Sequence, residues 1–275
     1  MINKTFRRTD LAVEAHKLWR EDAERTTELS GVIAHDATRF GFDVTTVKIT
    51  DEEGAAELGK PCGTYVTVEL DKLLRRDDDA FRLGVYALAD EIEALLRSGG
   101  GDSVLVVGLG NRAITADAIG PEIVRNVMVT GAFPQELGPF RSVFALEAGV
   151  LGTTGIESAR VIRAVCEEVM PDRVIVADAL ASRSVARLCR TVQISDTGIV
   201  PGSGIGNARA AVNRETLGVP VISVGVPTVV DIGDLVVTPK EIDGAVNDIS
   251  KLVGYAINLA LHRDLTVDDI TMFLG

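Results

Sequence analysis

The sequence predicts an α/β fold: a single domain with a largely parallel central sheet flanked by helices. Three observations carry that expectation. Short, largely apolar runs rich in β-branched residues recur from residue 104 onward, at 104–107, 143–146, 174–177, 192–194, 219–226 and 235–237. Such runs leave no solvated face, which suits central strands of a parallel or mixed sheet covered by helices. Helical periodicity fills the intervals between them, and neither an internal repeat nor a Pro-, Gly- or Ser-rich linker divides the 275 residues.

The elements follow in order. Residues 10–29 are rich in Glu, Ala, Lys, Arg and Leu, which predicts a solvated helix. Residues 43–49 and 64–70 alternate polar and apolar side chains, as half-buried strands do. A charged mixture over 71–97 leads into a helix that the glycines of 98–101 end. Pro121 suits the first position of the next helix, where the missing N–H costs nothing. Residues 156–168 carry core spacing, and 241–261 closes the chain as a long helix.

Composition excludes several classes of function. A hydrophobic content of 46% is ample for a sizeable core, and the longest apolar runs, 103–108 and 220–227, fall well short of the roughly 18 residues a membrane span needs. Residues 1–10 are polar and basic with no apolar stretch behind them, so no signal peptide is predicted and the expected location is cytoplasmic. A net charge of −12 argues against a direct nucleic-acid partner, because that surface needs clustered Lys and Arg. Cys62, Cys166 and Cys189 are odd in number and lack C-x-x-C spacing, so they read as reduced, mostly buried thiols.

Ligands of open α/β sheets bind outside the carboxyl ends of strands. Two acids are expected there: Asp117, in the loop after the run at 104–107, and Asp178, directly after the run at 174–177. Each has a bland explanation. Asp178 could cap a helix or pair with Arg183, and Asp117 could cap the helix that begins near Pro121. Two carboxylates close together on one side of a sheet cannot both ionise cheaply, and such a pair can share a proton and act as base and acid on a water. The glycine-rich loops carrying Gly110 and Asn111, and Gly204 and Asn207, are candidates for backbone donors to substrate or to a developing oxyanion.

Competing motifs fail on context. Gly108, Gly110 and Ala113 fit a dinucleotide-binding fingerprint, but the helix starts about ten residues too late and no acid follows at the ribose-binding distance of roughly 20 residues. The tripeptide Asp196-Thr197-Gly198 is the signature of pepsin-like peptidases, yet it occurs once and between α/β elements, and it reads as an Asx-turn. No G-x-S-x-G elbow exists. His16, His35 and His262 form no H-E-x-x-H pair, so no zinc cluster and no cofactor are expected.

With these segments laid out, the chain resembles the germination protease family of spore-forming bacteria. The matching stretches are 8–15 (RTDLAVEA), 59–65 (GKPCGTY), 108–121, 149–157, 178–184 (DALASRS) and 193–207, in the family's order and through most of the chain. The resemblance implies an aspartic-type endopeptidase that degrades small acid-soluble, DNA-coating spore proteins in the forespore or spore core, assembled as a homotetramer. It implies a fold related to that of the hydrogenase-maturation peptidases, which carry a metal on similarly placed acids plus a histidine; a metal-dependent peptidase and a non-catalytic nucleotide-binding module are the alternatives. It places the essential acids at Asp117 and Asp178. It also implies that residues 1–10 are a propeptide, removed by self-cleavage between Asp10 and Leu11 once the forespore acidifies and dries, leaving 11–275 as the peptidase domain. The chain departs from the family pattern at Ala116, where a proline is expected, at Val200, where a histidine is expected, and in a compact region after Pro239.

Overall fold

Alternation along the strands decides how the layers meet. In the strand Ser103–Leu109, Val104 and Val106 join one apolar cluster, while Leu105, Val107 and Leu109 join a second on the opposite face. Successive strand side chains point to opposite faces, so this strand is covered on both. The computed structural model describes residues 9–22, 29–97, 101–133, 140–232 and 235–275. Its strands are β1 Val32–Arg39, β2 Phe42–Ile49, β3 Gly63–Glu69, β4 Ser103–Leu109, β5 Ser142–Gly149, β6 Arg173–Ser182, β7 Thr191–Ser195, β8 Val221–Asp231 and β9 Val236–Val237. The helices are α1 Ala12–Asp22, α2 Glu52–Leu58, α3 Asp71–Leu74, α4 Ala80–Leu96, α5 Ile119–Arg125, α6 Leu151–Thr154, α7 Ser158–Val169, α8 Arg214–Leu217, α9 Ile242–Leu261 and α10 Val267–Leu274.

The strands form one sheet in the order β1-β2-β3-β7-β8-β6-β4-β5, with β9 paired to β8. The α/β architecture matches the expectation from the apolar runs, but the sheet is mixed. Parallel pairing is confined to β5-β4-β6-β8, and each successive pair from β8 through β7, β3 and β2 to β1 is antiparallel. The expectation of a largely parallel sheet holds only for the centre, because an apolar run records burial and not direction. Helices α4, α5 and α9 cover one face; α7 and α8 cover the other beside β4, β5 and β6. A third cluster packs Ala12 of α1 against Val47, Ile49 and Tyr65 on β2 and β3.

Several boundaries differ from the sequence expectation for local reasons. The strand β1 went unseen because six of its eight residues are exposed, leaving no alternation to read. A two-residue turn, Phe40 and Gly41 at φ 48 and 80, joins it to β2, as the twist of a hairpin favours. Pro121 is the third residue of α5, not the first.

The centre of the sheet positions the site. The β4–β6 pairing ends at Gly108↔Ala177, whereas β6 stays paired to β8 as far as Ser182↔Val230. Beyond Ala177, β6 therefore has an open flank, and the chain leaving β4 fills it. Its return into α5 is tight. A Cβ on Gly120 would lie 2.2 Å from Leu109 O and 2.5 Å from Ala177 O, and one on Gly108 would lie 2.4 Å from Gly120 O.

Backbone atoms cannot yield as a flexible side chain can, so Gly120→Ala is expected to cost about 1–3 kcal/mol by overpacking, roughly 3–10 °C in Tm. Gly244, on α9, would place a Cβ in open space. Gly244→Ala should leave Tm unchanged or raise it slightly. Thermal unfolding of the two variants checks this, and equal Tm values would rule out the close approach.

Candidate active site

Asp178 lies inside β6, on the face of Val174 and Val176 and one residue past the last β4 pair. Its carboxyl is buried, at 5% exposure, and Oδ1 accepts from the Ala179 N–H at 2.8 Å. It caps no helix, and Arg183 is exposed, its amide donating instead to Glu14. Both bland explanations for Asp178 therefore fall. Asp117 ends a 3-10 turn, Thr115–Asp117, between β4 and α5. It caps no helix either: the residue before α5 is Ala118, with no side-chain cap. Instead Asp117 Oδ2 accepts from the Asn111 N–H at 2.8 Å and so closes the loop that leaves β4. That loop needs Gly110, which has φ +120 and would place a Cβ 1.9 Å from Asp117 O. Thr228 Oγ1 on β8 donates to Ala116 O at 2.6 Å and holds the same turn from the other side.

The electrostatics of the two acids differ. Burial raises the Asp117 carboxyl above the ordinary carboxylate range, and the Asn111 N–H partly offsets this. Burial pushes Asp178 well above that range, and the negative charges of Asp117 and Asp10 push it further. Both effects favour the protonated form of Asp178 more strongly than that of Asp117.

The two acids line one cavity of about 610 Å³, together with Gly110, Asn111, Gly204 and Asn207 from the two glycine-rich loops. The structure brings the sequence-predicted loops to one cavity. The Asn111 N–H is taken by Asp117 and the Asn207 N–H by Gly202 O, so neither is a free oxyanion donor. Gly204 instead walls Asp10, whose carboxylate would lie 2.2 Å from a Cβ at that position. Asp10 also lines the cavity. Leu11 is fully buried. Residues 1–8 of the expected propeptide lie outside the described residues.

Sequence reasoning missed the residues that hold this segment. Gln193 on β7 is in register with Gly225 on β8 and, through it, with Asp178 on β6, so all three share a sheet face. Its amide donates to Asp10 O at 3.0 Å and accepts from the Ala12 N–H at 2.7 Å. Leu180 fills the space over the bare Gly225 and lines both this cavity and a second one, of about 430 Å³, that carries Lys60 and Gln193. The only sequence signal for these residues is that 59–65 and 193–207 belong to the stretches carrying the resemblance. Asp196 forms no Asx-turn. Its Oδ1 accepts from the Thr64 N–H at 2.8 Å, and Ser195 Oγ closes the turn by accepting from the Thr197 N–H.

None of the three histidines lines the cavity. Among the described residues no group of three or more His, Cys, Asp or Glu is assembled as a metal site, and no helix is long and apolar enough to cross a membrane. The three thiols are unpaired, with Cys166 and Cys189 buried and Cys62 exposed.

A family model described as germination protease matches residues 12–234, the span that holds both acids and both loops. The chain belongs to the germination protease family. A germination protease of Caldanaerobacter subterraneus subsp. tengcongensis is 40% identical, over 97% of this chain and 98% of its own length. One from Clostridium perfringens is 37% identical over 98% and 99%. One from a Geobacillus species is 45% identical over 82% of this chain and 63% of its own. The first alignment runs over 321 positions against 275 residues here, so that relative carries residues with no counterpart in this chain. A [NiFe] hydrogenase maturation protease from Thermococcus kodakarensis superposes with a TM-score of 0.40 at 17% identity, covering 61% of this chain and 98% of its own. As a member of the germination protease family, the chain is a spore protease, a hydrolase of peptide bonds.

The raised Asp178 carboxyl has a stability consequence with a definite sign. Between the ordinary carboxylate pKa and the higher folded value, the native state holds the proton more tightly than the unfolded one, so stability falls as pH rises through that window. Asp178→Asn mimics the protonated form. It should raise Tm at neutral pH, and the gain should vanish below the ordinary carboxylate range. Thermal unfolding across pH checks both parts, and destabilisation at neutral pH would contradict the assignment of the proton.

Proposed function

We propose that the chain is an aspartic-type endopeptidase in which water is activated between Asp117 and Asp178, without a covalent intermediate. The observation that carries this reading is the pair itself: a half-buried and a buried carboxyl lining one cavity, each raised by burial, with the Asp117 charge raising Asp178 further. Ionised Asp117 takes a proton from the water as its oxygen bonds to the scissile carbonyl carbon. Protonated Asp178 gives its proton to the carbonyl oxygen. In the second half, the proton held on Asp117 passes to the leaving nitrogen as the C–N bond breaks, and Asp178 recovers its proton from the hydroxyl of the tetrahedral carbon. The chemistry needs one proton on the pair. Activity should therefore fall at acid pH as Asp117 is protonated, and at alkaline pH as Asp178 ionises, with the alkaline limb above the ordinary carboxylate range.

The substrates in this reading are small acid-soluble, DNA-coating spore proteins, degraded during germination in the forespore or spore core, and the assembly is a homotetramer. The chain is made as a zymogen in which 1–10 is the propeptide and 11–275 the peptidase domain. The position of Asp10 supports self-processing at Asp10–Leu11: it lies against the cavity of the two acids, with its main chain bonded to β6 and to Gln193.

Two measurements test the proposal. Cleavage of a purified small acid-soluble spore protein should fall about 10²-fold or more in Asp117→Asn and in Asp178→Asn and be indifferent to EDTA. Equal cleavage by all three proteins would remove the pair from the mechanism, and loss with EDTA alone would move the chemistry to a metal. N-terminal sequencing after incubation at mildly acid pH should give a chain beginning at Leu11 in the wild type and an intact terminus in Asp117→Asn; processing that survives that substitution would sink self-cleavage.

A further inference from the structure

Gln193 spans Leu11 with one planar group. Its Nε2 donates to Asp10 O at 3.0 Å, and its Oε1 accepts from the Ala12 N–H at 2.7 Å. These two partners fix which end of the amide is which, because a carbonyl only accepts and an N–H only donates. The chain on the amino side of Leu11 is fastened as well. The Asp10 N–H donates to Ala181 O at 3.0 Å, the Asp10 carboxylate accepts from the Ala181 N–H and from Ser203 Oγ, and Lys60 Nζ donates to Thr9 O at 2.9 Å. Ala12 opens α1, where no helical carbonyl reaches its N–H, so the acceptor end of Gln193 serves the helix. That role needs an acceptor alone, and a carboxylate would fill it better beside the positive end of a helix. The donor end does something else: it lies on the carbonyl oxygen of the Asp10–Leu11 bond.

We propose that Gln193 is a catalytic residue whose Nε2–H stabilises the charge that gathers on the carbonyl oxygen of the bond being cut. The role rests on Asp10–Leu11 being a substrate of the Asp117–Asp178 pair. In that reaction the carbonyl oxygen gains electron density as the water oxygen bonds to its carbon, and a donor already aimed at it needs no reorganisation. The carbonyl oxygen has two lone pairs. One takes the Gln193 N–H and the other is left for the Asp178 proton, so the amide keeps its own proton throughout and adds no step. The sheet supports the arrangement: Gln193, Gly225 and Asp178 sit side by side in register on β7, β8 and β6, and their side chains leave the same face. At 7% exposure Gln193 is screened little by water, which makes a neutral donor count for more. The glycine-rich loops offer no comparable donor at Asn111 or Asn207, whose N–H groups are taken.

Self-cleavage of the full-length chain tests this role, because the bond is already in place and its rate reports chemistry rather than binding. Release of residues 1–10 at mildly acid pH is followed by intact-mass spectrometry. Gln193→Met keeps the length of the side chain without its polar atoms and is expected to slow cleavage about 10²-fold or more. Lys60→Met removes a hold on the neighbouring peptide group and should slow it by less than about tenfold. Gln193→Glu separates the donor from the helix cap. It keeps an acceptor for the Ala12 N–H, so hydrogen exchange at Ala12 in the Asp117→Asn background should stay as slow as with Gln193 in place. Its cleavage rate relative to the wild type should be lowest where the new carboxyl is ionised and rise about tenfold or more as that carboxyl takes up a proton and becomes a donor, whereas the Gln193→Met ratio should not change with pH. Far-UV circular dichroism checks folding, and Gln193→Glu carries the test if Gln193→Met unfolds. Cleavage by Gln193→Met within about threefold of the wild type, equal losses in Gln193→Met and Lys60→Met, or a Gln193→Glu ratio that is flat in pH would overturn the proposal. Failure of the underlying reading looks different. A wild-type chain that never cuts at Asp10–Leu11, or whose cutting survives Asp117→Asn, removes self-cleavage by the pair and the role of Gln193 with it.

Discussion

The structure depends on how closely the first turn of α5 lies against the ends of β4 and β6. Gly108 and Gly120 have no side chain to hold the backbones apart, so the chain leaving β4 folds back onto Ala177 O, the carbonyl directly before Asp178. Everything that makes the pair of acids unusual follows from that contact. It places Asp117 beside the open flank of β6, leaves Asp117 half-buried and Asp178 buried, and sets Asp178 within reach of the Asp117 charge. A side chain at either glycine would force these backbones apart beside Asp178. The cost of burying them is borne by the surrounding bonds from Asn111, Ala179 and Thr228, which hold the arrangement in place.

The central strands were legible because burial on both faces leaves an unbroken apolar run, as at Val104, Val174 and Val221. The strand β1 was illegible for the opposite reason, and strand direction is not written in such runs at all. The two acids were found because they interrupt or follow apolar runs, although Asp178 is inside its strand, since β8 outlasts β4 as its partner. The holders of the N-terminal segment could not be read from sequence. Ser203 is 193 positions from Asp10 and Gln193 is 181 from Ala12, and no local pattern records a contact of that separation.

A second carboxylate ties the same segment down. Glu14, buried near the start of α1, accepts from Thr9 Oγ1, from Ser182 Oγ and from the Arg183 and Ser184 amides, with Arg187 Nε at 3.8 Å. Ser182 ends β6, and Arg187 also binds Glu69 on β3. The beginning of α1 is thereby joined to the strand that carries Asp178 and to the antiparallel half of the sheet. A single acid thus couples the position of the Asp10–Leu11 bond to both halves of the fold.

Leu11 is wholly inaccessible, and its N–H rests on Thr9 Oγ1 at 3.1 Å. While the chain is continuous, that nitrogen is a neutral amide and its burial is cheap. Hydrolysis would turn it into an amine that is mostly charged at neutral pH, in a place with no exposure and beside a side chain that offers one weak acceptor. The new terminus could not stay there, and the two ends would part. Cutting this bond would therefore act as a ratchet: the product no longer fits the position the intact chain occupied, so rejoining is disfavoured and the first event at this site can happen only once per molecule.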